Sequence, residues 1–180
     1  MPEIEIRPAA AADIPLLMAL DHSYSSDFVW QMDIQALDGQ ISASFREMRL
    51  PRSVRVEYPR PVRSFAEEWS QRSAVLVAVH QEQPCGYISL VQETAPATTW
   101  ARDLVVERRL RRQGIGATLV LAGQEWALRQ GQTRQLVLEM QPKNHPAISL
   151  ALKLGFDFCG YNDRYYANHE IGLFFARSLR

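Results

Sequence analysis

The sequence has no excess of charge and very little cysteine. Twenty Lys and Arg residues balance twenty Asp and Glu residues, so the formal net charge is +0. A neutral chain has no general field that attracts nucleic acid or an anionic membrane, and any anion site must be local. Cys85 and Cys159 form no Cys-x-x-Cys pair, which argues against a zinc knuckle or a disulfide framework. A reducing cytoplasm is therefore the expected location.

Long apolar runs and metal-binding spacings are also absent from the sequence. No apolar run approaches the roughly 18 residues that a membrane-spanning helix requires. The first seven residues lack the basic and then apolar pattern of an export signal, so we expect no membrane partner. The histidines show neither His-x-x-x-His nor His-Glu-x-x-His spacing, and no metal site is predicted.

The composition is that of an ordinary folded protein. Apolar residues make up 47% and charged residues 22% of the 180 residues, which is too apolar for a disordered chain. A chain of this length buries roughly 70% of its surface on folding, enough for a substantial core. We find no internal repeat, low-complexity segment or linker, and predict one domain over residues 1–180.

Hydrophobic periodicity predicts a mixture of strands and helices. Strands are predicted at residues 3–7, 54–58, 74–79, 87–92, 100–106, 135–140 and 171–176, and helices at 9–22, 65–72, 117–130 and 146–154. A turn at 83–86 is expected to join two of the strands as a hairpin. The aromatic-rich segment 24–32 has no clean period and is interpreted as a surface loop or short helix. This order favours a mixed α/β (α+β) fold.

The segment Arg111-Arg112-Gln113-Gly114-Ile115-Gly116 lies between a predicted strand and a predicted helix. Its glycines let the backbone approach an anion, and its arginines add positive charge. A Walker-type loop needs Lys followed by Ser or Thr after the second glycine, but Ala117 and Thr118 stand there. A dinucleotide loop needs a third glycine, but Leu119 stands there. A turn whose N–H groups wrap a pyrophosphate fits the segment, and a basic loop before an ordinary helix is the alternative.

Two stretches together resemble the GNAT N-acetyltransferases. Residues 104–117, from Leu104-Val105-Val106 through Arg111 to Ala117, are similar to the acetyl-coenzyme A signature of that family. Residues 138–156, with a strand, Asn144, a helix and then Gly155-Phe156, are similar to its later motif. Segments 21–31, 159–166 and 171–175 resemble the streptothricin-acetyltransferase-like branch.

The resemblance implies a fold and a cosubstrate. The expected fold is a central mixed, mostly antiparallel sheet of six or seven strands flanked by about four helices. The expected cosubstrate is acetyl-CoA, with no metal, and a Val106 N–H is expected to point at the thioester carbonyl. The residues expected to bind acetyl-CoA are Leu104, Val105 and Val106 along the pantetheine arm, Arg111, Arg112, Gln113, Gly114, Ile115, Gly116 and Ala117 around the pyrophosphate, and Asn144 beside the arm.

The resemblance also implies direct transfer of the acetyl group to a primary amine of a small molecule or peptide. Such a reaction needs a neutral amine and a proton for the leaving thiolate. The candidate bases are Glu93 and Glu139, with Asp103 as a third. Many family members carry a tyrosine seven residues after the asparagine as the proton donor, but Ala151 stands there. Tyr166, its neighbour Tyr165, or water is expected to supply the proton instead.

Two other classes of function remain open at this stage. Ala151 is compatible with a catalytically inactive protein that binds acetyl-CoA in a regulatory role. The four arginines between positions 108 and 112 are compatible with a nucleic-acid-binding module, which the zero net charge and the two glycines disfavour. We expect an amine acceptor, no nucleic acid and no membrane as partners, and a monomer or homodimer. Acceptor specificity is expected to depend on segments 24–32 and 161–170.

Overall fold

A computed structural model describes residues 3–92 and 95–179. Strands and helices alternate along this part of the chain, with short 3-10 turns at Ala11–Asp13, Trp69–Gln71 and Arg108–Leu110. The strands are β1 (Glu5–Pro8), β2 (Tyr24–Leu37), β3 (Gln40–Val56), β4 (Ala74–His80), β5 (Gln83–Gln92), β6 (Thr98–Val106), β7 (Gln135–Met140), β8 (Asp157–Asn162) and β9 (Gly172–Ser178). The helices are α1 (Ile14–Met18), α2 (Val62–Glu68), α3 (Ile115–Arg129) and α4 (His145–Lys153).

Seven of these strands form one mixed sheet in the order β1-β4-β5-β6-β7-β9-β8. Every neighbouring pair is antiparallel except β6 and β7, which are parallel. The run Ala74 to Val79 is apolar throughout because β4 is covered on both faces. The predicted mixed, mostly antiparallel sheet of six or seven strands is confirmed.

The sheet opens where β6 and β7 stop pairing. Their parallel register runs only from Thr98 opposite Gln135 to Ala101 opposite Leu138. At that point the pairing of β6 with β5 shifts by one residue, which makes Arg102 the extra residue of a β-bulge. A bulge increases the local twist and bends the strand. From there β6 continues beside β5 and β7 continues beside β9, so a V-shaped gap separates them.

Helices cover both faces of the sheet. The buried apolar layer on one face includes Leu119 of α3, Ile148 of α4 and Phe156, each at most 1% exposed. The layer on the other face includes Leu17 of α1 and Phe65 of α2. Because successive side chains of β6 point to opposite faces, this strand contributes to both layers.

Strands β2 and β3 form a separate long hairpin, so the prediction of a loop or short helix at 24–32 was wrong. Phe28 and Trp30 share one face of this hairpin and pack on the main sheet and α4. The centre of the Trp30 ring lies 5.9 Å from that of Phe175. The backbone N–H of Trp30 donates to the Pro142 carbonyl at 3.0 Å. Apolar Val29 on the opposite face hid the strand period. The predicted strand at 54–58 is only the end of β3.

Three other local predictions need correction. Strand β8 was not predicted, because its residues are mostly exposed and show no apolar alternation. The helix expected over 9–22 is restricted to α1. The hairpin turn expected at 83–86 lies instead at Gln81 and Glu82, whose φ angles are 48° and 62°. Pro84 belongs to β5 next to an irregularity in its pairing with β4, a position that tolerates a residue without an N–H.

Core packing on α3 makes a testable contrast between two leucines of that helix. Leu119 is fully buried, whereas Leu121 is 49% exposed. Leu119→Ala should lower the free energy of unfolding by about 2 to 5 kcal/mol, because it leaves a cavity under the sheet. Leu121→Ala should change it by less than about 0.5 kcal/mol. Urea unfolding measures both values, and equal losses would contradict the placement of α3.

Candidate active site

The turn before α3 presents backbone N–H groups that no side chain caps. Gly114 is the N-cap residue, with φ 89° and no capping side-chain hydrogen bond. Arg112 also has a positive φ, 64°. The first N–H groups of a helix lack intrahelical partners and attract anions together with the helix dipole. Helix α4 differs, because the Asn144 side chain accepts from the Ala147 N–H at 3.2 Å. The turn therefore suits a phosphate group.

Arg111 is turned inward rather than toward this anion site. Its guanidinium donates to the carbonyl oxygens of Val106 at 2.8 Å and Ser23 at 2.6 Å, and also to that of Asp21. Two of these hydrogen bonds tie the turn to the segment that enters β2, and the third ties it to the end of β6. The predicted contact between the Arg111 side chain and a pyrophosphate would require breaking them. We assign Arg111 to positioning the turn.

The neighbouring residues of the signature divide between surface and core. Arg112 and Gln113 are exposed, and Gln113 also donates to the Arg109 carbonyl at 3.3 Å. Ile115 is 2% exposed and anchors the helix in the core. Gly116 and Ala117 are partly buried. A Cβ on Gly116 would stand 3.3 Å from Leu150 of α4 and 3.9 Å from Val106, so the start of α3 lies against the end of β6.

A cleft lies in the gap between β6 and β7. Its walls combine apolar and polar side chains, which suits a ligand with an apolar arm and a polar reacting end. Its lining residues are Tyr58, Pro59, Arg60, Ala101, Arg102, Leu104, Leu138, Glu139, Met140, Gln141, Asn144, Ala147 and Tyr166. Leu104 and Asn144 therefore line one space. Val105 is 4% exposed and packs in the α1 and α2 layer, so it can contribute only backbone there.

Glu139 is enclosed by other side chains. Its carboxylate is inaccessible to solvent and forms an ion pair with Arg60, and Arg102 Nε lies 3.3 Å from the same oxygen. The Tyr165 hydroxyl donates to the other oxygen at 2.7 Å. An amine could reach this carboxylate only by displacing one of these partners. The prediction that Glu139 is the base is therefore disfavoured, and the other candidate, Glu93, lies outside the described residues.

Tyr166 lines the cleft. It is 5% exposed, and the Arg60 guanidinium carbon stands 5.1 Å from the centre of its ring. Burial raises the pKa of Tyr166, which outweighs the opposite effect of Arg60, so the hydroxyl keeps its proton at neutral pH. Ala151 is fully buried in the core and offers no surface in the cleft.

Several residues of the cleft were not predicted as site residues from the sequence. Among them, Tyr58 and Arg60 follow β3, and Arg102 is the bulge residue of β6. Arg60 donates to the Arg102 carbonyl at 2.9 Å, which holds the linker after β3 against the mouth of the gap. A sequence signal does exist, because Pro59 and Pro61 flank Arg60 and stiffen its backbone.

The described ranges 3–92 and 95–179 lack two kinds of feature. No helix there is long and apolar enough to cross a membrane. No three His, Cys, Asp or Glu side chains in the same ranges come together as a set of metal ligands.

The family comparison places the chain, with its opened mixed sheet and glycine-containing turn, in the class of acetyltransferases. The chain belongs to the Acetyltransferase (GNAT) family, which it matches over residues 42–156. The GNAT prediction is thereby confirmed. No curated protein sequence gives a significant match to the chain.

Solved structures share the fold over nearly the whole chain. Nourseothricin acetyltransferase has a TM-score of 0.81 at 21% identity, covering 98% of this chain and 99% of that one. A protein from Bacillus anthracis str. Ames assigned as a streptothricin acetyltransferase, in complex with acetyl coenzyme A, has a TM-score of 0.75 at 18% identity, with coverage of 98% and 99%. The ribosomal-protein-S18-alanine N-acetyltransferase from Escherichia coli has a TM-score of 0.69 at 15% identity, covering 98% of this chain and 94% of that one. The predicted likeness to the streptothricin branch is confirmed at the level of structure.

The inward orientation of Arg111 predicts a difference between two neighbouring arginines. Arg111→Lys keeps the charge but cannot reach three carbonyl groups, so the free energy of unfolding should fall by about 1.5 to 3 kcal/mol without any ligand. Arg112→Lys changes an exposed side chain and should alter it by less than about 0.5 kcal/mol. Urea unfolding of the ligand-free proteins makes the comparison. Equal stability of the two variants would contradict the positioning role.

Proposed function

We propose that the protein is an N-acetyltransferase that moves the acetyl group of acetyl-CoA directly to a primary amine of a small molecule or peptide. The observation that carries the proposal is the gap between β6 and β7, which opens beside the uncapped N-terminus of α3. The acetyl coenzyme A complex of the Bacillus anthracis protein supports the same cosubstrate. The proposal treats residues 1–180 as one domain acting in the cytoplasm.

The residues of the chain fit such a cosubstrate in two regions. Backbone N–H groups of residues 113–117 would hold the pyrophosphate, with exposed Arg112 adding positive charge. Leu104, Met140 and Ala147 give the cleft apolar walls for the pantetheine arm. The Asn144 amide nitrogen remains for that arm, since its oxygen caps α4. The bound cosubstrate supplies an activated acetyl group, and the protein supplies orientation.

Direct transfer agrees with the positions of the cysteines. Neither Cys85 nor Cys159 lines the cleft. Burial raises the pKa of the Cys85 thiol, which disfavours its nucleophilic thiolate form, and Cys159 lies exposed on β8. An acetyl-cysteine intermediate is therefore not part of the proposal, and the amine attacks the thioester itself.

The acceptor we propose is an amine of small-molecule or peptide type. Structural neighbours are named for antibiotics, nourseothricin and streptothricin, and for a ribosomal-protein alanine. These names cover both kinds of amine. The shared fold supports both kinds equally, because specificity depends on loops around the site.

Coenzyme binding and turnover can be tested separately. Acetyl-CoA at 100 times its Kd should stabilise the protein by about 2.7 kcal/mol, which thermal unfolding detects. Release of free thiol, with and without a panel of antibiotic, polyamine, amino-acid and peptide amines, then measures transfer. Stabilisation without amine-dependent thiol release would favour the inactive regulatory alternative. No stabilisation by acetyl-CoA, with binding to nucleic acid instead, would contradict both coenzyme-binding proposals.

The proposed role of Tyr166 as proton donor predicts a loss in kcat rather than in binding. Tyr166→Phe removes only the hydroxyl, so kcat should fall by about 10²- to 10⁴-fold at neutral pH. The Kd for acetyl-CoA should change little. Steady-state kinetics and a binding titration measure these values, and Tyr161→Phe, on β8 outside the cleft, is the control. A kcat equal to that of the control would rule out Tyr166 as the donor.

A further inference from the structure

A second carboxylate lies beneath the cleft, in surroundings unlike those of Glu139. Asp103 follows the bulge of β6 and is 4% exposed. One of its oxygens accepts from the Tyr58 hydroxyl at 2.5 Å, and the other accepts from the Ser89 hydroxyl at 2.5 Å. Both hydrogen-bond partners are neutral.

The charge of Asp103 is poorly compensated. Arg60 forms its close ion pair with Glu139 and approaches Asp103 only to 4.0 Å. Burying a carboxylate against neutral hydroxyl groups costs free energy that a close pair with a cation would offset. The two carboxylates therefore differ in their partners, because Glu139 is held by two arginines and Asp103 by two hydroxyl groups.

Tyr58 connects Asp103 to the cleft. Its side chain is partly exposed and lines the same space as Arg60 and Tyr166, while its hydroxyl points at Asp103. Burial, together with the negative charge of Asp103, raises the pKa of Tyr58. The phenol therefore remains protonated at rest and can relay a proton only if it donates one at the same moment.

Other groups around Asp103 do not compete for this role. His22 lies edge-on to Tyr58 with ring centres 5.3 Å apart, and its Nε2 contacts the Tyr87 hydroxyl at 3.1 Å. Burial lowers the pKa of His22, so the ring is neutral at pH 7 and adds no positive charge. Arg60 and Tyr166 face Asp103 from the cleft side. None of these groups hydrogen-bonds to Asp103 in place of Tyr58 and Ser89.

We propose that Tyr58 and Asp103 together form the proton acceptor for the incoming amine. The ammonium group of the acceptor gives a proton to the Tyr58 oxygen as the Tyr58 hydroxyl proton passes to Asp103. The neutral amine then attacks the thioester carbonyl carbon, so that a C–N bond forms and the C–S bond breaks. The leaving thiolate takes its proton from Tyr166, and the proton that the nitrogen loses on becoming an amide restores the Tyr166 hydroxyl. Tyr58 touches the substrate and is the catalytic residue, whereas Asp103 acts through it. This inference rests on the proposed acetyltransferase function.

The test is the pH dependence of kcat/KM between pH 6 and 9, measured by thiol release with an amine acceptor. An enzyme that deprotonates a bound ammonium group should reach a plateau in this range. In Tyr58→Phe and Asp103→Asn, kcat/KM should instead follow the fraction of unprotonated amine. It should rise about tenfold per pH unit toward an amine pKa near 10. At pH 7 their kcat should be about 10²- to 10⁴-fold lower, with an unchanged Kd for acetyl-CoA.

Two controls separate this role from a structural one. Tyr87→Phe removes a buried hydroxyl on the adjacent strand, outside the cleft, and should keep the plateau. Stabilisation by acetyl-CoA shows that each variant is folded, and Tyr58→Phe decides the question if Asp103→Asn does not fold. If kcat/KM of Tyr58→Phe reaches a plateau and its kcat at pH 7 equals that of Tyr87→Phe, this inference is overturned and the proposed function is not. Absence of amine-dependent thiol release from the unaltered protein would overturn the proposed function and this inference with it.

Discussion

The loss of pairing between β6 and β7 after Ala101 is the constraint on which the rest of the structure depends. Backbone N–H and C=O groups in the middle of a sheet require partners, and the bulge at Arg102 withdraws those that a continuous ladder would supply. The freed groups of β6 face an open cleft that a ligand can fill. Helix α3 starts against the end of β6, so the same opening leads to a helix N-terminus.

Arginine side chains hold the parts of this site together. Arg111 joins the turn before α3 to the entry of β2 through carbonyl oxygens, and Arg60 holds the linker after β3 against Glu139 and the Arg102 carbonyl. Arg60 pairs closely with Glu139 and approaches Asp103 only to 4.0 Å, and the hydrogen bonds to Asp103 come from two hydroxyl groups. The guanidinium groups thus give the two carboxylates different partners.

The sequence-based predictions were accurate where a feature depends on neighbouring residues, and wrong where it depends on residues far apart in the chain. Strand β7 was predicted with its observed ends, and α3 within two residues, because both have a regular apolar period with a clear end signal. The prediction for the start of β2 was wrong because its apolar alternation appears only once Trp30 is placed against Phe175, which is far away in the chain. Glu139 was plausible as a base until Arg60, 79 residues away, was found beside it.

The sequence by itself determined the class of fold, the turn at Gly114 and the helix that follows. These depend on local backbone preferences and on apolar periods of neighbouring residues. Only the tertiary structure decided what each charged side chain does. Arg111 and Arg112 are adjacent and chemically identical, yet one is buried against carbonyl groups and the other is exposed. Burial and partners set the role of an ionisable group, and residues distant in sequence supply both.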